Sequence, residues 1–365
     1  MLDMPSRKPD YNRLVTVLRR EGEPDKVPFY EHFVDKEVME AILDEPMPNL
    51  SSEFSLELKE RYVLFLIKFY SKLGYDYVPL EVPLNLPRNN LLITTDIAYL
   101  SRGTRTWQNE NEGVIETWED FERYPWPDLE NAADLTYFEL LLKFLPDNMG
   151  IIGGVAGGVF EHVSWLMGLA PLSRALYKDK KLVERMFEKI GSIIVKVDED
   201  ILSKTDSRLI ALRMGDDLGF KQGTFVSPEI LRKYVFPWQK KCADLAHRRG
   251  LPFILHSCGN LKNIMKDLIN YVGIDAKHSF QDEIEPVWEA KIKYGNNIAI
   301  LGGVDVDKLA RFPEDSLRTY VKKILKSCAS GGGYALGSGN TITNYIPLKN
   351  YIAMLDEGEK FKFNR

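Results

Sequence analysis

The sequence is poor in cysteine. Cys242, Cys258 and Cys328 are too few and too scattered for a disulfide framework, so a reduced, cytoplasmic chain is expected. No stretch approaches the roughly 20 consecutive apolar residues that a membrane span requires. The polar stretch 1–11 lacks the apolar core of a signal peptide. An excess of positive charge is missing too: 48 Lys and Arg stand against 53 Asp and Glu, and the basic residues are scattered. That balance leaves no electrostatic footprint for nucleic acid. Nor is there a dinucleotide fingerprint, although glycines cluster in Gly153-Gly154-Val155-Ala156-Gly157-Gly158 and in Gly337-Ser338-Gly339-Asn340. Close passage of backbone or substrate is the simpler reason for them, with anion binding by their N–H groups the alternative.

What the chain does have is alternation. Eight short apolar segments, at 26–32, 76–81, 149–155, 209–216, 252–258, 274–278, 298–303 and 333–338, are separated by amphipathic stretches. This is the pattern of a parallel sheet with crossover helices, and eight units predict an α/β fold of the (β/α)8 TIM-barrel type. A barrel absorbs all 365 residues as one domain. Ser227-Pro228-Glu229 reads as a helix start, with Pro237 kinking or dividing the helix it opens. A second helix, over 313–330, carries Leu317, Tyr320, Val321, Ile324 and Leu325 at helical spacing and stops at Gly331-Gly332-Gly333.

One connection breaks the alternation. Residues 87–147, between the second and third strands, exceed a usual connection and predict an inserted hairpin or lid. Within it, Thr104-Arg105-Thr106-Trp107 and Val114-Ile115-Glu116-Thr117-Trp118 flank the turn-like 109–113 and are expected to pair. The loop Tyr124-Pro125-Trp126-Pro127 follows.

Barrels place chemistry at the C-terminal ends of their strands. Those ends bring Glu31 and His32, Glu81, Asp216 and Asp217, His256 and Cys258, His278, Asp305 and Asn340 to one rim. Alternate strand residues share a face, so His256 and Cys258 point the same way, offering an imidazole nitrogen and a sulfur as zinc ligands. A buried cysteine beside a hydrogen-bonded histidine is the plainer alternative. In 209–217 the apolar Ile210, Leu212 and Met214 face the helices, which turns Arg213, Gly215 and Asp217 inward. Asp217 then stands beside the fifth strand, as metal ligand, base, or ion-pair partner of Arg213. His278 is placed for proton transfer or for a structural hydrogen bond. Cys328 ends a helix that runs against the strands, which puts it at the opposite rim.

Leu255-His256-Ser257-Cys258-Gly259-Asn260, Ile300-Leu301-Gly302-Gly303-Val304-Asp305, Gly331-Gly332-Gly333-Tyr334 and the stretch 153–169 together resemble the uroporphyrinogen decarboxylase superfamily. The resemblance runs over about residues 26–358. In that superfamily, true decarboxylases carry an arginine-rich motif after the first strand that grips porphyrinogen carboxylates. Here Phe29-Tyr30-Glu31-His32-Phe33-Val34-Asp35 holds no arginine, and Glu31 is expected to repel such a ligand. Arg213 is the one arginine expected inside the barrel.

The zinc-dependent methyltransferases of the superfamily, which work with corrinoid proteins in anaerobic one-carbon metabolism, share a His-x-Cys pair with His256 and Cys258. Members that methylate coenzyme M add a cysteine after the last strand, where this chain has Ser338. A methoxylated or otherwise methylated small substrate therefore fits the resemblance better. It implies methyl transfer between such a substrate and a corrinoid on a partner protein, with zinc on His256 and Cys258. Asp217 or Glu81 would complete the shell, and His278 would act as acid or base. Glu31, His32, Arg213 and Asn340 would face the substrate, and a homodimer is an admissible assembly. Two rivals stand beside this reading: a cofactor-free decarboxylase of a small organic acid using Arg213 and buried carboxylates, and a ligand-binding barrel without catalysis. The concentration of ionisable groups at one rim speaks against the last.

Overall fold

The computed structural model describes residues 7–49, 55–205 and 207–363; residues 1–6 of the polar N-terminal stretch lie outside them. Strand β1 (Tyr77–Val82) is followed by a hairpin of β2 (Leu91–Thr95) and β3 (Thr104–Gln108), then β4 (Gly150–Val155) and β5 (Leu209–Gly215). A small ribbon of β6 (Gly219–Phe220) and β7 (Gly223–Thr224) precedes β8 (Phe253–His256), β9 (Ala276–His278), β10 (Ala299–Leu301) and β11 (Tyr334–Ala335). Seven strands form one parallel sheet in the order β1-β4-β5-β8-β9-β10-β11. All residues of β4 and β5 are buried, as expected where helices cover one face and a barrel interior fills the other.

The eighth position belongs to the first predicted segment, which closes the TIM barrel without a full ladder. Phe29 bridges Leu336, Val34 bridges Ile342, and the Tyr30 N–H donates to the Leu336 carbonyl at 2.8 Å. Pro28 has no N–H to give, so pairing towards β11 is intermittent. Towards β1, the Tyr77 hydroxyl replaces the ladder: it accepts from the Glu31 N–H at 3.0 Å and donates to the Glu31 carbonyl at 2.8 Å.

The long helix Lys180–Lys204 shows why the outer layer forms. Asp179 caps it by accepting from the Leu182 N–H at 3.1 Å, and Leu182, Met186, Ile190, Ile194, Val197 and Ile201 recur at helical spacing on its buried face. Each such side chain contributes about 1.5–3 kcal/mol when withdrawn from water. Pro237 lies just inside helix Phe236–Arg248, directly after a π-helical turn at Leu231–Val235, which is the division its ring imposes.

The insertion departs from its expected pairing. β3 pairs antiparallel with β2, not with 114–118. Thr117 instead caps helix Trp118–Arg123 in a reciprocal box with Asp120. The stretch before it closes another helix end: Val114 and Ile115 N–H groups both reach the Leu166 carbonyl, and Asn90 and Gln108 amides reach the Trp165 carbonyl. Those carbonyls end helix Val159–Met167 and have no partner within it. At its other end the hairpin is tied to the rim. Asp96 accepts from Arg105 at 3.1 Å and from Asn344 at 2.7 Å, and Arg102 reaches Asp35 at 2.6 Å. Asn344 and Asp35 follow the last and first barrel segments, so the hairpin stands at the C-terminal rim.

Candidate active site

Three ligand-type atoms meet at that rim. β5, β8 and β9 run in register, with Gly215 opposite His256 and His256 opposite His278. Two residues beyond these positions, the Asp217 carboxylate accepts from the Cys258 N–H at 2.7 Å, which fixes both turns against each other. Cys258 Sγ lies 3.5 Å from His256 Nε2, and Asp217 Oδ1 lies 3.8 Å from the same nitrogen. One ligand atom from each of the three residues falls within 4.8 Å of the others. Ligands at ordinary zinc bond lengths on a tetrahedron stand roughly 3.4–3.6 Å apart, so the two separations from His256 suit zinc, and the N, S and O donors fit it once the spread of up to 4.8 Å among the three closes.

The histidine is also in the right protonation state. His278 Nε2 lies 3.0 Å from the Ser338 carbonyl, which can only accept, so that nitrogen carries the proton. His278 Nδ1 is then an acceptor, and it lies 2.7 Å from His256 Nδ1, which must donate. The lone pair of His256 is therefore left on Nε2, facing Cys258 and Asp217. Burial keeps both rings neutral, lowering His278 to about 3 and His256 well below its usual value. His32 lies flat on His256, with ring centroids 3.8 Å apart and planes 6° from parallel.

Around the sulfur, Asn340 Nδ2 donates to Cys258 Sγ at 3.2 Å and the Ser279 hydroxyl lies at 3.6 Å. Burial, and after it the Asp217 charge, pushes the Cys258 thiol up to about 12. A thiolate there needs a cation, which a bound metal would supply. Burial likewise raises Asp217, opposed by the hydrogen bond from Cys258. Glu161 lies nearby; burial first, and then the charges of Asp217 and Asp216, raise it well above the carboxylate range.

These groups open into a cavity of about 410 Å³, within the range of small-molecule sites. Its walls include Phe33, Leu84, Leu86 and Trp165, and Asp217, His256 and Cys258 line one part of it. The turn before helix Val159–Met167 shapes another part. Gly157 adopts φ +86°, and a Cβ on Gly158 would stand 2.2 Å from the Asp216 side chain. That close approach lets Asp216 accept from the Phe160 and Glu161 N–H groups and cap the helix.

The uroporphyrinogen decarboxylase (URO-D) family model matches residues 110–361, more than two thirds of the chain and including all three ligand-type residues. The chain belongs to the URO-D family. A uroporphyrinogen decarboxylase of Anaeromyxobacter dehalogenans is 23% identical over 248 residues, 66% of this chain and 66% of that protein. A methylated-thiol–coenzyme M methyltransferase of Methanosarcina mazei is 28% identical over 130 residues, 36% of this chain and 33% of the relative. Among solved structures, a methyltransferase from Methanosarcina mazei superposes with a TM-score of 0.68 at 17% identity, covering 97% of this chain and 99% of that one. The barrel is thus the fold of this family, and no described helix is long and apolar enough to cross a membrane.

The structure sorts the residues singled out by sequence into two groups. Asp217, His256, Cys258, Asn340, His32 and Glu81 line the cavity. Glu31, Arg213 and His278 do not. His278 is fully buried with both nitrogens engaged and does not reach the cavity, so its place is behind His256, orienting it. Arg213 Nε is held by Glu81 at 2.7 Å and its Nη1 by the His32 carbonyl at 3.1 Å. Burial disfavours its charge, but Glu81 together with Tyr30 and Tyr77 outweighs that and keeps the guanidinium ionised.

Glu31 is a correction. Its carboxyl is buried against Ser338, accepting from the backbone N–H at 2.8 Å and pairing with the hydroxyl at 2.5 Å. Burial lifts it to about 8, so near neutral pH it is mostly uncharged and faces no ligand. It therefore cannot repel a carboxylated substrate. Ser338 is likewise turned away from Cys258. Sequence reasoning also missed Arg88, Glu161, His162 and Trp165, which line the cavity from the insertion and from helix Val159–Met167. The unusual length of 87–147 pointed to Arg88 alone, and the other three lie in the stretch 153–169, marked only by its resemblance to the superfamily.

Proposed function

We propose that this chain is a methyltransferase that moves a methyl group between a small methylated substrate and a corrinoid carried on a partner protein. In this reading, zinc is held by His256, Cys258 and Asp217. The observation that carries it is the chain from the Ser338 carbonyl through His278 to His256, which leaves the His256 Nε2 lone pair facing a sulfur and a carboxylate. The resemblance to a methylated-thiol–coenzyme M methyltransferase supports the same chemistry.

Bound zinc would supply Lewis acidity towards the heteroatom that carries or receives the methyl group. The chain's own residues do the rest. His278 fixes the ring of His256, Asn340 donates to the Cys258 sulfur, and the Asp217 hydrogen bond locks the two loops that carry the donors. Glu161 places a carboxyl on the cavity wall whose proton affinity is raised by burial and by the Asp217 and Asp216 charges. Phe33, Leu84, Leu86 and Trp165 exclude water from the reacting end.

Porphyrinogen decarboxylation is not the proposed reaction. Eight ligand carboxylates, as a uroporphyrinogen carries, call for several cations. Arg213 is committed to Glu81, and Arg88 is the one Lys or Arg among the described cavity-lining residues.

The test is metal analysis of protein purified without oxygen, followed by incubation with reduced cobalamin and a panel of methoxylated aromatics, methanol and methylamines. About one zinc per chain, demethylated product and a matching spectral change of the cobalamin are expected. A metal-free protein that releases CO2 from a small acid, or that turns over uroporphyrinogen, would overturn the proposal.

A further inference from the structure

The cavity is lined by groups of unlike chemistry. Asp217, His256 and Cys258 line it from the strand ends, and Arg88, which is exposed, lines it from the insertion. Arg88 lies outside the residues matched by the family model, so membership of the family says nothing about it.

Its surroundings are built rather than incidental. The guanidinium carbon lies 4.5 Å from the Trp165 ring centroid, and Trp165 in turn packs edge-on to His162 at 4.8 Å. His162 is fixed by the Ala156 carbonyl at 3.0 Å, and the Trp165 backbone is held by Asn90 and Gln108. The guanidinium thus rests on a ring that is itself anchored. Arg88 Nη1 donates to Gln108 at 3.3 Å. No carboxylate pairs with Arg88 among the described residues, and its Nε and Nη2 have no acceptor there. Glu161, which lines the same cavity, acts on Arg88 through space without an ion pair, so the free N–H groups of the fork remain available to a planar, two-oxygen anion.

We propose that Arg88 is the subsite for a carboxylate on the substrate. The ligand is then a small methylated acid whose methyl-bearing heteroatom lies at the Asp217–His256–Cys258 end and whose anionic group is gripped at the rim. This assignment rests on the methyl-transfer reading for the far end only; the Arg88 end is independent of the chemistry. It also explains how one cation suffices where a polycarboxylated ligand would need several.

The experiment is direct binding, followed by calorimetry on the full chain without added metal or corrinoid. 4-Methoxybenzoate is compared with 4-methoxybenzamide, which has the same shape and no charge. Wild-type protein is expected to bind the acid at least about tenfold more tightly. Arg88→Gln should remove that preference, weakening the acid far more than the amide, and Arg88→Lys should retain part of it. Arg88 is exposed, so both variants are expected to fold, which thermal unfolding checks. Equal affinity of wild type for the two probes, or a preference that survives Arg88→Gln, would overturn the subsite. Carboxylate binding without methyl transfer would instead overturn the proposed reaction and leave the subsite standing.

Discussion

The Nδ1 atoms of His256 and His278 face each other at 2.7 Å, and the proton between them belongs to His256. Two histidines joined in this way act as a single oriented ligand. The inner ring sets the tautomer, and the outer ring presents the lone pair.

Removing the inner ring should therefore impair metal binding without touching a ligand. His278→Phe keeps the volume but deletes the acceptor, freeing His256 to turn. Zinc affinity, measured by competition with a chromogenic chelator, is expected to fall about 10–100-fold. Unchanged affinity would show that the pair is structural.

Cys258→Ser is the cleaner probe of the ligand set. Its side chain faces the cavity, so loss of zinc and of methyl transfer is expected with little change in unfolding temperature. His256→Ala should also lose zinc, but at a further cost of about 1–3 kcal/mol, because it orphans the buried His278 nitrogen. Cys328→Ser should keep its zinc. That residue ends helix Glu314–Cys328, just before β11 begins, at the rim away from the cavity.

Glu31 predicts a pH dependence. Its folded pKa of about 8 lies above the unfolded carboxylate value, so the folded state binds the extra proton between these limits. Its contribution to stability is complete at low pH and is lost as pH rises through about 8, at a slope of at most about 1.4 kcal/mol per unit. Glu31→Gln should flatten the fall in stability between pH 5 and 9. Urea unfolding across that range checks it, and an identical slope in the variant would refute it.

The Arg213–Glu81 pair is fully inside the protein, with side chains 0% and 3% exposed. Arg213→Met leaves a buried carboxylate uncompensated and should cost about 3–5 kcal/mol. The double variant Arg213→Met, Glu81→Gln should recover much of that loss. A double-mutant cycle in denaturant measures the coupling.

Much of this site was readable because barrel strands obey simple parity. Counting inward positions from Ile210, Leu212 and Met214 was enough to place Asp217 beside His256 and Cys258. Parity gives no information about contacts between non-adjacent elements. Arg88 and Trp165 meet because the insertion caps the end of helix Val159–Met167, a tertiary event that leaves no local period. β2 escaped notice for a related reason: all five of its residues are exposed, so the strand lacks the in-out alternation that marks a sheet packed on a core. The misreading of Glu31 was electrostatic. A charge was assigned from residue type, but burial against Ser338 removes it.

The Tyr77 hydroxyl has a mechanical consequence. Between other neighbouring barrel segments, backbone bonds must break for one to slide past the next; here side chains span the junction, the Tyr77 phenol at Glu31 and the Arg7 guanidinium, which ties the Val27 carbonyl to the Gly74 carbonyl and Asp76. The segment they hold carries His32 and Phe33, and so one wall of the cavity. This seam beside the cavity is therefore held by side chains, and Tyr77 could be shortened there without unzipping a backbone ladder.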